Sequence, residues 1–306
     1  MTRFLVTGAS GLLGLNFALA VDGKKHQVTG VANTAPMLWA TFKNVQLELT
    51  QPGVVDEMIK EHQPEVVIHC AAMANVDACE NNPAQARLVN AELPGTIAAA
   101  CKRHRVRLVH ISTDAVFDGK KGDYREEEPP HPLSVYASTK LEGERAVLAA
   151  NPDALVARVN FYGWSAAGNR SLAENFVRNL EAGKEMMGFT DVIFCPMNIL
   201  DLSSVLVEAA ELDIRGVYHM VGAQAMSKFQ FGVVLAEQFG FDTRLIKPVS
   251  VNDSGLKAAR SPNLSLSTEK IVKALGHELP DFHEGVKKFF DQYRRGYPQY
   301  IMSLNG

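Results

Sequence analysis

Short apolar runs alternate with amphipathic stretches along the first half of the chain. Six of these runs have the length of a strand and no internal alternation with polar residues, which is typical of parallel strands buried on both faces. The stretches between them are long enough to form right-handed crossover helices. The predicted strands are Phe4–Thr7, Gln27–Val31, Val45–Leu49, Val66–Cys70, Leu108–Ser112 and Leu155–Val159, and the predicted helices are Leu12–Val21, Gly53–His62, Pro83–His104 and Tyr136–Ala150. This order predicts an α/β fold with a doubly wound parallel sheet.

Beyond Asn160 the alternation loosens, and the pattern predicts a second, smaller lobe. Its predicted helices are Arg170–Ala182, Met226–Phe239, Thr268–Leu275 and Phe282–Tyr293. Leu200–Leu212 and Gly216–Val221 predict one more helix and strand, which we expect to rejoin the sheet. The predicted division is therefore residues 1–160 with 200–222 for the sheet domain, and residues 161–199 with 223–306 for a discontinuous substrate-binding lobe. Whether the third helix kinks or restarts at Pro94-Gly95 stays open.

The 306 residues carry a formal charge of −3 and have a pI near 6.3. Nucleic acid and anionic membranes both require a concentrated basic face, so both are disfavoured as partners. The four cysteines stand apart without C-x-x-C spacing, and no acidic cluster has metal-ligand spacing, so we expect neither disulfides nor a metal. The chain shows no secretory signal and no apolar run long enough to cross a bilayer, which favours a cytoplasmic protein.

The first predicted strand ends in a G-x-x-G-x-x-G loop that opens directly into a helix. Gly8 permits a tight turn, Gly11 lets backbone N–H groups approach a pyrophosphate, and Gly14 allows close helix–strand packing. Three glycines can also form a plain turn, but their position at the first strand–helix junction favours a dinucleotide at the helix N-terminus. The loop therefore predicts a Rossmann NAD(P)-binding domain. The residues of this loop that we expect to contact the dinucleotide are Gly8, Ser10, Gly11, Leu12, Leu13 and Gly14.

Two further strand ends bear on the cofactor. The second strand is followed by Ala32 and Asn33, without the carboxylate that favours NAD, so we expect a slight preference for NADPH over NADH. Asn33 is compatible with either nucleotide. The fourth strand ends Cys70-Ala71-Ala72, where small side chains let a cofactor pass close to the backbone, although ordinary packing also selects small residues.

Ser112-Thr113-Asp114 closes the fifth strand, and Tyr136 and Lys140 stand four residues apart at the head of the next predicted helix. Residues at that spacing share a helix face, so both side chains can address one point. A nearby ammonium favours the phenolate, so Lys140 is expected to lower the pKa of Tyr136 and make it a usable general acid. Thr113 would hydrogen-bond a substrate carbonyl, and Lys140 could also bind a nicotinamide ribose. An exposed helix pair without a catalytic role is the alternative.

These segments resemble the extended short-chain dehydrogenase/reductase family. The resemblance implies Thr113, Tyr136 and Lys140 as a catalytic trio, NAD(P)H as hydride donor, a nucleotide-linked 4-keto-6-deoxysugar as substrate, and a homodimer. It rests on Ala71-Ala72 followed by Val76-Asp77 and Glu80, on Ser112 to Gly119, on Pro132 to Glu144, on Asn90, on Gly216–Val221, and on Arg260 with Pro262, Asn263 and Leu266. The remaining expected cofactor contacts are Leu49 and Asn90, and the expected substrate contacts are Val76, Thr113, Asp114, Tyr136, Phe161 and Arg260.

Two departures from the family's patterns bear on the expected reaction. The related dehydratases carry Thr-Asp-Glu at the fifth strand end, whereas Ala115 follows Asp114 here, which favours simple reduction. The related reductases usually read Ser-Trp-Val-Tyr-Gly after the sixth strand, whereas this chain reads Asn160-Phe161-Tyr162-Gly163-Trp164, so the aromatic that packs against the sugar is displaced or replaced. Two alternatives stay open: a sugar-nucleotide epimerase that retains its cofactor, and a cofactor-binding regulatory subunit of a methionine adenosyltransferase.

Overall fold

The computed structural model of the protein describes residues 1–23, 25–33, 40–253 and 261–304. Its strands are β1 (Thr2–Thr7), β2 (His26–Ala32), β3 (Lys43–Gln46), β4 (Val66–His69), β5 (Arg107–Thr113), β6 (Leu155–Val159), β7 (Phe161–Tyr162), β8 (Met186–Phe189), β9 (Ile193–Phe194), β10 (Met197–Asn198), β11 (Gly216–Met220), β12 (Met226–Ser227) and β13 (Ile246–Val249). Its α-helices are α1 (Leu12–Val21), α2 (Val54–His62), α3 (Val76–Asn81), α4 (Pro83–Arg87), α5 (Leu93–His104), α6 (Val135–Ala150), α7 (Leu172–Glu181), α8 (Ile199–Glu211), α9 (Lys228–Phe239), α10 (Glu269–Leu275), α11 (Phe282–Arg294) and α12 (Tyr297–Ser303).

Seven of these strands form one parallel sheet in the order β11-β6-β5-β4-β1-β2-β3. The chain builds outward from β1 to β3 on one side, then returns to β4 and builds outward on the other side. The strand order therefore reverses between β1 and β4, and a doubly wound sheet binds its ligands outside the carboxyl ends of the strands at such a point. The predicted fold class is confirmed, and β11 rejoins the sheet beside β6 as expected.

Most predicted elements agree with the structure to within a few residues, and the third strand shows the largest shift. It spans Lys43–Gln46 rather than Val45–Leu49. Leu47 N–H still donates to Ala32 O at 2.9 Å, but the Glu48 carboxylate then accepts from the Thr50 N–H at 3.2 Å and closes a turn. That local hydrogen bond ends the strand before its apolar run ends.

The open question at Pro94-Gly95 is resolved by a π-helical turn at Leu88–Glu92, through which α4 runs into α5 without a break. Proline has no N–H and cannot donate to the carbonyl four residues before it, which here belongs to Asn90. A wider turn accommodates that missing bond. The freed Asn90 carbonyl faces α6, where Gly143 leaves room for it: a Cβ at Gly143 would lie 2.1 Å from this oxygen.

Short strand pairs and helices follow the sheet in the remainder of the chain: β7 with β10, β8 with β13, and β9 with β12. One hydrophobic cluster runs from the face of the sheet under α1 and α8 into an aromatic group around Tyr162, Phe231 and Phe289. The two parts of the chain therefore share a core, and their division into two lobes stays a prediction. Within the described ranges, no helix is long and apolar enough to cross a membrane.

Candidate active site

The glycine loop between β1 and α1 forms the floor of the site. Gly8 has φ +67°, and a Cβ there would lie 2.8 Å from the Ala71 backbone. Gly11 N–H donates to Gly8 O at 2.9 Å, and a Cβ at Gly14 would lie 2.3 Å from that same oxygen. Among the described residues, no side chain caps the N-terminus of α1. Its first N–H groups therefore remain available to an anion such as a pyrophosphate.

The end of β4 closes against this loop. Thr7 Oγ1 lies 2.7 Å from His69 Nδ1 and accepts a hydrogen bond from Ala71 N–H at 3.2 Å. Cys70 is half-buried, Ala72 is exposed, and burial raises the pKa of the Cys70 thiol to about 12. The short side chains after β4 leave the loop open, and the thiol is too weakly acidic to act as a nucleophile at neutral pH.

Thr113 and Tyr136 meet at the carboxyl end of β5, where Tyr136 stands in the first turn of α6. Thr113 Oγ1 donates to Asp114 Oδ1 at 3.1 Å. Its interaction with the phenol lowers the pKa of Tyr136, but burial outweighs this effect and raises that pKa to about 12. Asp114 lies beside them, accepting from Asn160 Nδ2 at 2.5 Å, and burial raises the pKa of its carboxyl. The two hydroxyls can therefore both contact one oxygen of a bound substrate.

Lys140 is buried one turn further along α6, and its ammonium donates to Ile111 O at 2.6 Å. Burial lowers the pKa of Lys140 to about 8, while the Glu144 charge raises it. The expectation that Lys140 lowers the pKa of Tyr136 is wrong. The phenol is desolvated beside Asp114 and Cys79, both of which also raise its pKa.

The structure also shows what holds α6 in place. Ser134 Oγ accepts from the Ala137 N–H at 3.2 Å as the N-cap, and Glu80 of α3 accepts from the Val135 N–H at 2.8 Å. Glu80, whose role the sequence did not indicate, therefore bonds the residue directly before Tyr136 and fixes the start of the helix that carries the phenol.

The remaining predicted cofactor and substrate contacts differ in their burial and in their hydrogen-bond partners. The Asn90 side chain is fully buried and bonds Met73 and Thr139, so it joins the loop after β4 to α6. Leu13 and Leu49 are buried, whereas Ser10, Leu12, Val76 and Phe161 are half-buried. Asn33 donates from Nδ2 to Glu48 Oε2 at 2.6 Å. Arg260 lies outside the described residues.

Sequence reasoning missed three charged residues near the site: Glu48, Glu144 and Arg158. Glu48 brings a carboxylate to the end of β2 from the turn after β3. Glu144 and Arg158 form a buried ion pair behind Ser112. The spacing of Glu144 four residues after Lys140 was a usable signal, because such residues share a helix face. Across the described residues, no three His, Cys, Asp or Glu side chains gather as metal ligands.

Fold and site define a class: a Rossmann-type α/β protein of the short-chain dehydrogenase/reductase kind, with Thr113 and Tyr136 together at the carboxyl end of β5. The family model described as the RmlD substrate binding domain matches residues 2–295. The chain therefore belongs to this family.

Two curated relatives show the range of proteins that this chain is similar to. It is 32% identical over 284 residues to the probable low-salt glycan biosynthesis reductase Agl14 of Haloferax volcanii, covering 91% of this chain and 94% of the relative. It is also 32% identical over 306 residues to methionine adenosyltransferase 2 subunit beta of Pongo abelii, covering 94% and 86%. Both likenesses extend through both predicted lobes.

Solved structures show the same fold. A dTDP-4-dehydrorhamnose reductase of Clostridium acetobutylicum has a TM-score of 0.84 at 27% identity, covering 95% of this chain and 99% of that chain. A dTDP-4-dehydrorhamnose reductase of Bacillus anthracis in complex with NADP has a TM-score of 0.83 at 24% identity, with the same coverage. At that identity the second likeness shows the fold alone.

Proposed function

We propose that the chain reduces the 4-keto group of a nucleotide-linked 6-deoxysugar to a CH–OH group, with NADPH and secondarily NADH as hydride donor. The observation that carries this proposal is the placing of Thr113 and Tyr136 in contact at the carboxyl end of β5, in a sheet whose first strand ends in a glycine loop and an uncapped helix. The names of the relatives add support, because reductases of nucleotide sugars and of glycan synthesis occur among them.

The residues present fit a nicotinamide dinucleotide. A Cβ at Gly8 or Gly14 would fill the cradle against Ala71 and the loop, and the uncapped start of α1 suits a pyrophosphate. We expect Gly8, Ser10, Gly11 and Asn33 to hold the nucleotide, together with Leu12, Leu13, Gly14, Leu49, Cys70, Ala71, Ala72, Tyr136 and Lys140. When bound, the nicotinamide supplies the hydride.

Tyr136 is proposed to give its proton to the carbonyl oxygen as charge develops there. A pKa near 12 keeps the phenol protonated at neutral pH, so the proton is present when it is needed. Thr113 donates a hydrogen bond to the same oxygen and stabilises its negative charge. Lys140 holds a positive charge one helical turn from the phenolate that remains.

The surroundings of Asp114 argue for reduction rather than dehydration. Its carboxyl is buried and bound by Asn160, and the next residue is Ala115. A second acid is therefore missing from the position after Asp114. Elimination needs an acid and a base on neighbouring carbons, whereas reduction needs the single acid that Tyr136 provides.

Phe161 is the aromatic residue that we propose to contact the sugar. In the Phe161–Trp164 segment, Tyr162 and Trp164 are 2% and 6% exposed and pack into the aromatic core. Phe161 is half-buried at the edge of that cluster. Val76, Asp114 and Arg260 stay predicted substrate contacts. A homodimer, a cytoplasmic location and the lack of nucleic-acid or membrane partners also stay predictions.

The test is a turnover panel of nucleotide-linked sugars, with and without a 4-keto group, against NADPH and NADH. We expect oxidation of NADPH with 4-keto-6-deoxysugars only. Thr113→Val should lower kcat by about 10²-fold, because it removes one donor to the developing oxyanion. Thr113→Ser keeps the hydroxyl and serves as the matched control. Absence of NADPH oxidation with every 4-keto sugar would overturn the proposal.

The likeness to methionine adenosyltransferase 2 subunit beta supports a second candidate function, that of a nucleotide-binding regulatory subunit. This alternative predicts capture of a methionine adenosyltransferase by the purified chain and no turnover across the panel. An epimerase instead predicts oxidised nucleotide that stays bound through purification. The panel and the bound-nucleotide assay distinguish these three functions.

A further inference from the structure

Two oppositely charged side chains lie buried together behind the candidate site. Glu144 on α6 and Arg158 on β6 are each 3% exposed. Arg158 donates from Nε to Oε1 at 3.0 Å and from Nη2 to Oε2 at 2.8 Å. Taking such a pair out of water costs several kcal/mol per ion, and an apolar pair of similar volume is often as stable. Stability alone is therefore a weak reason for these charges to be here.

The Glu144 carboxylate also holds the end of the strand that carries Thr113. Ser112 Oγ donates to Glu144 Oε1 at 2.5 Å, and Ser112 is the residue directly before Thr113. Ser112 and Arg158 are register partners on β5 and β6. The Glu144 carboxylate thus joins β5 and β6 to α6, next to the strand end that carries Thr113.

Glu144 also lies one helical turn after Lys140 on α6. The described titratable groups that interact electrostatically with the Lys140 ammonium are His69 on β4, Cys70 after β4, His110 on β5, and Glu144. Burial lowers the pKa of His69 to about 3 and that of His110 well below its usual value, and it raises the pKa of Cys70 to about 12. These three groups are uncharged at neutral pH, so Glu144 supplies the negative charge that favours a protonated lysine.

We propose that Glu144 is a positioning residue of the reductase site. Through Ser112 it holds the Thr113 hydroxyl, and through its charge it keeps Lys140 an ammonium. Arg158 orients the carboxylate and balances its charge. This inference rests on the proposed function for the role of Lys140, but the protonation of that lysine is observable without any sugar substrate.

The test is the pH dependence of NADPH binding, followed by nucleotide fluorescence in wild type and Glu144→Gln. Glutamine keeps the shape of the side chain and removes its charge. In wild type we expect affinity to fall as pH rises through the pKa of Lys140, about 8. In the variant, the pH midpoint of NADPH binding should fall by about one pH unit. The reason is that a nearby opposite charge raises the pKa of a lysine by that amount or more, and the variant lacks this charge.

Glu174→Gln is the matched control. Glu174 is 2% exposed and accepts hydrogen bonds from Ser165 Oγ and the Ser171 N–H, but it lies on α7. Its replacement should lower the melting temperature and leave the NADPH midpoint unchanged. If Glu144→Gln alone fails to fold, the double variant with Arg158→Met removes both buried charges and should show the same lowered midpoint.

An unchanged midpoint in a folded Glu144 variant, with thermal stability alone reduced, would overturn the proposal. Wild-type binding without an alkaline midpoint would overturn it as well. Failure of the proposed function looks different: NADPH binds, but no ketosugar is reduced. In that case the binding titration still decides the role of Glu144.

Discussion

Two hydroxyls, those of Thr113 and Tyr136, carry the proposed proton transfer, and burial sets their chemistry. Burial raises the pKa of Tyr136 to about 12, so the phenol keeps its proton across the neutral range. Burial lowers the pKa of Lys140 to about 8. The loss of activity at alkaline pH should therefore follow Lys140 rather than Tyr136.

Glu48 offers a residue-scale test of cofactor choice. Its carboxylate accepts from Asn33 at the end of β2, and hydrogen bonds from Thr50 lower its pKa, so it stays ionised. The extra phosphate of NADPH distinguishes it from NADH near this strand end. Glu48→Gln should raise the ratio of kcat/KM for NADPH to that for NADH about fivefold, as expected for removal of ~1 kcal/mol of charge repulsion in water.

Initial rates with both cofactors measure that ratio. Glu57→Gln, which removes an exposed carboxylate from α2, is the control and should leave it unchanged. A Glu48→Gln ratio equal to wild type would show that this carboxylate does not face the nucleotide.

At the scale of elements, the contact between α5 and α6 depends on the π-helical turn before Pro94. Gly143→Ala would place a Cβ 2.1 Å from Asn90 O, a backbone atom that cannot move aside alone. We expect a loss of about 2–3 kcal/mol in the free energy of unfolding, as for other overpacked interfaces. Urea denaturation measures it.

Gly95→Ala is the matched control on the facing helix. Its Cβ would lie 3.1 Å from the Ala146 Cβ, a methyl carbon that needs to yield only slightly. The gain in helix propensity, up to about 1 kcal/mol, then offsets the contact. If Gly143→Ala proved as stable as Gly95→Ala, the close approach of the Asn90 carbonyl would not be the reason for a glycine at position 143.

The same scale shows why some elements could be predicted from the sequence and others could not. α1 and β6 match their predicted bounds because each is mostly apolar, with a single strongly polar residue, Asn16 in α1 and Arg158 in β6. The six-residue helix α3 and the β8–β13 pair were missed, since such short elements depend on tertiary contacts. The family resemblance was enough to predict that Thr113 and Tyr136 lie close together.

The rest of the site depends on distances that a linear sequence does not contain. Lys140 bonds the Ile111 carbonyl, and Glu144 pairs with Arg158 on another element. Both arrangements arise when α6 packs against the sheet. A sequence pattern predicts which face of α6 turns inward, but not which strand atom each side chain meets there.

At the scale of the whole molecule, the sheet carries buried histidines on three strands: His69, His110 and His219. Burial lowers the pKa of His69 and His219 to about 3 and that of His110 well below its usual value. Below about pH 6.5 the unfolded chain binds a proton on each ring and the folded chain does not. The free energy of unfolding must therefore decrease as the pH falls from about 6.5 toward about 3.

Each buried ring should contribute about 1.4 kcal/mol of lost stability per pH unit within this window. Among the described residues, neither ring nitrogen of His110 has a hydrogen-bond partner, so His110→Leu removes one contributor without stranding a polar group. Urea denaturation at several pH values gives the free energy of unfolding as a function of pH. In the variant, the slope of that free energy against pH should be smaller by about 1.4 kcal/mol per pH unit. His131→Leu, at an exposed position, is the control. A slope unchanged by His110→Leu would contradict the assignment.

The turnover of Tyr136→Phe with a 4-keto-6-deoxysugar nucleotide, followed as NADPH oxidation and compared with its affinity for NADPH, tests the proposed proton transfer. We predict that turnover falls by about 10²–10⁴-fold, the usual contribution of a positioned acid, while the variant still binds NADPH. Equal turnover in the two proteins would contradict it.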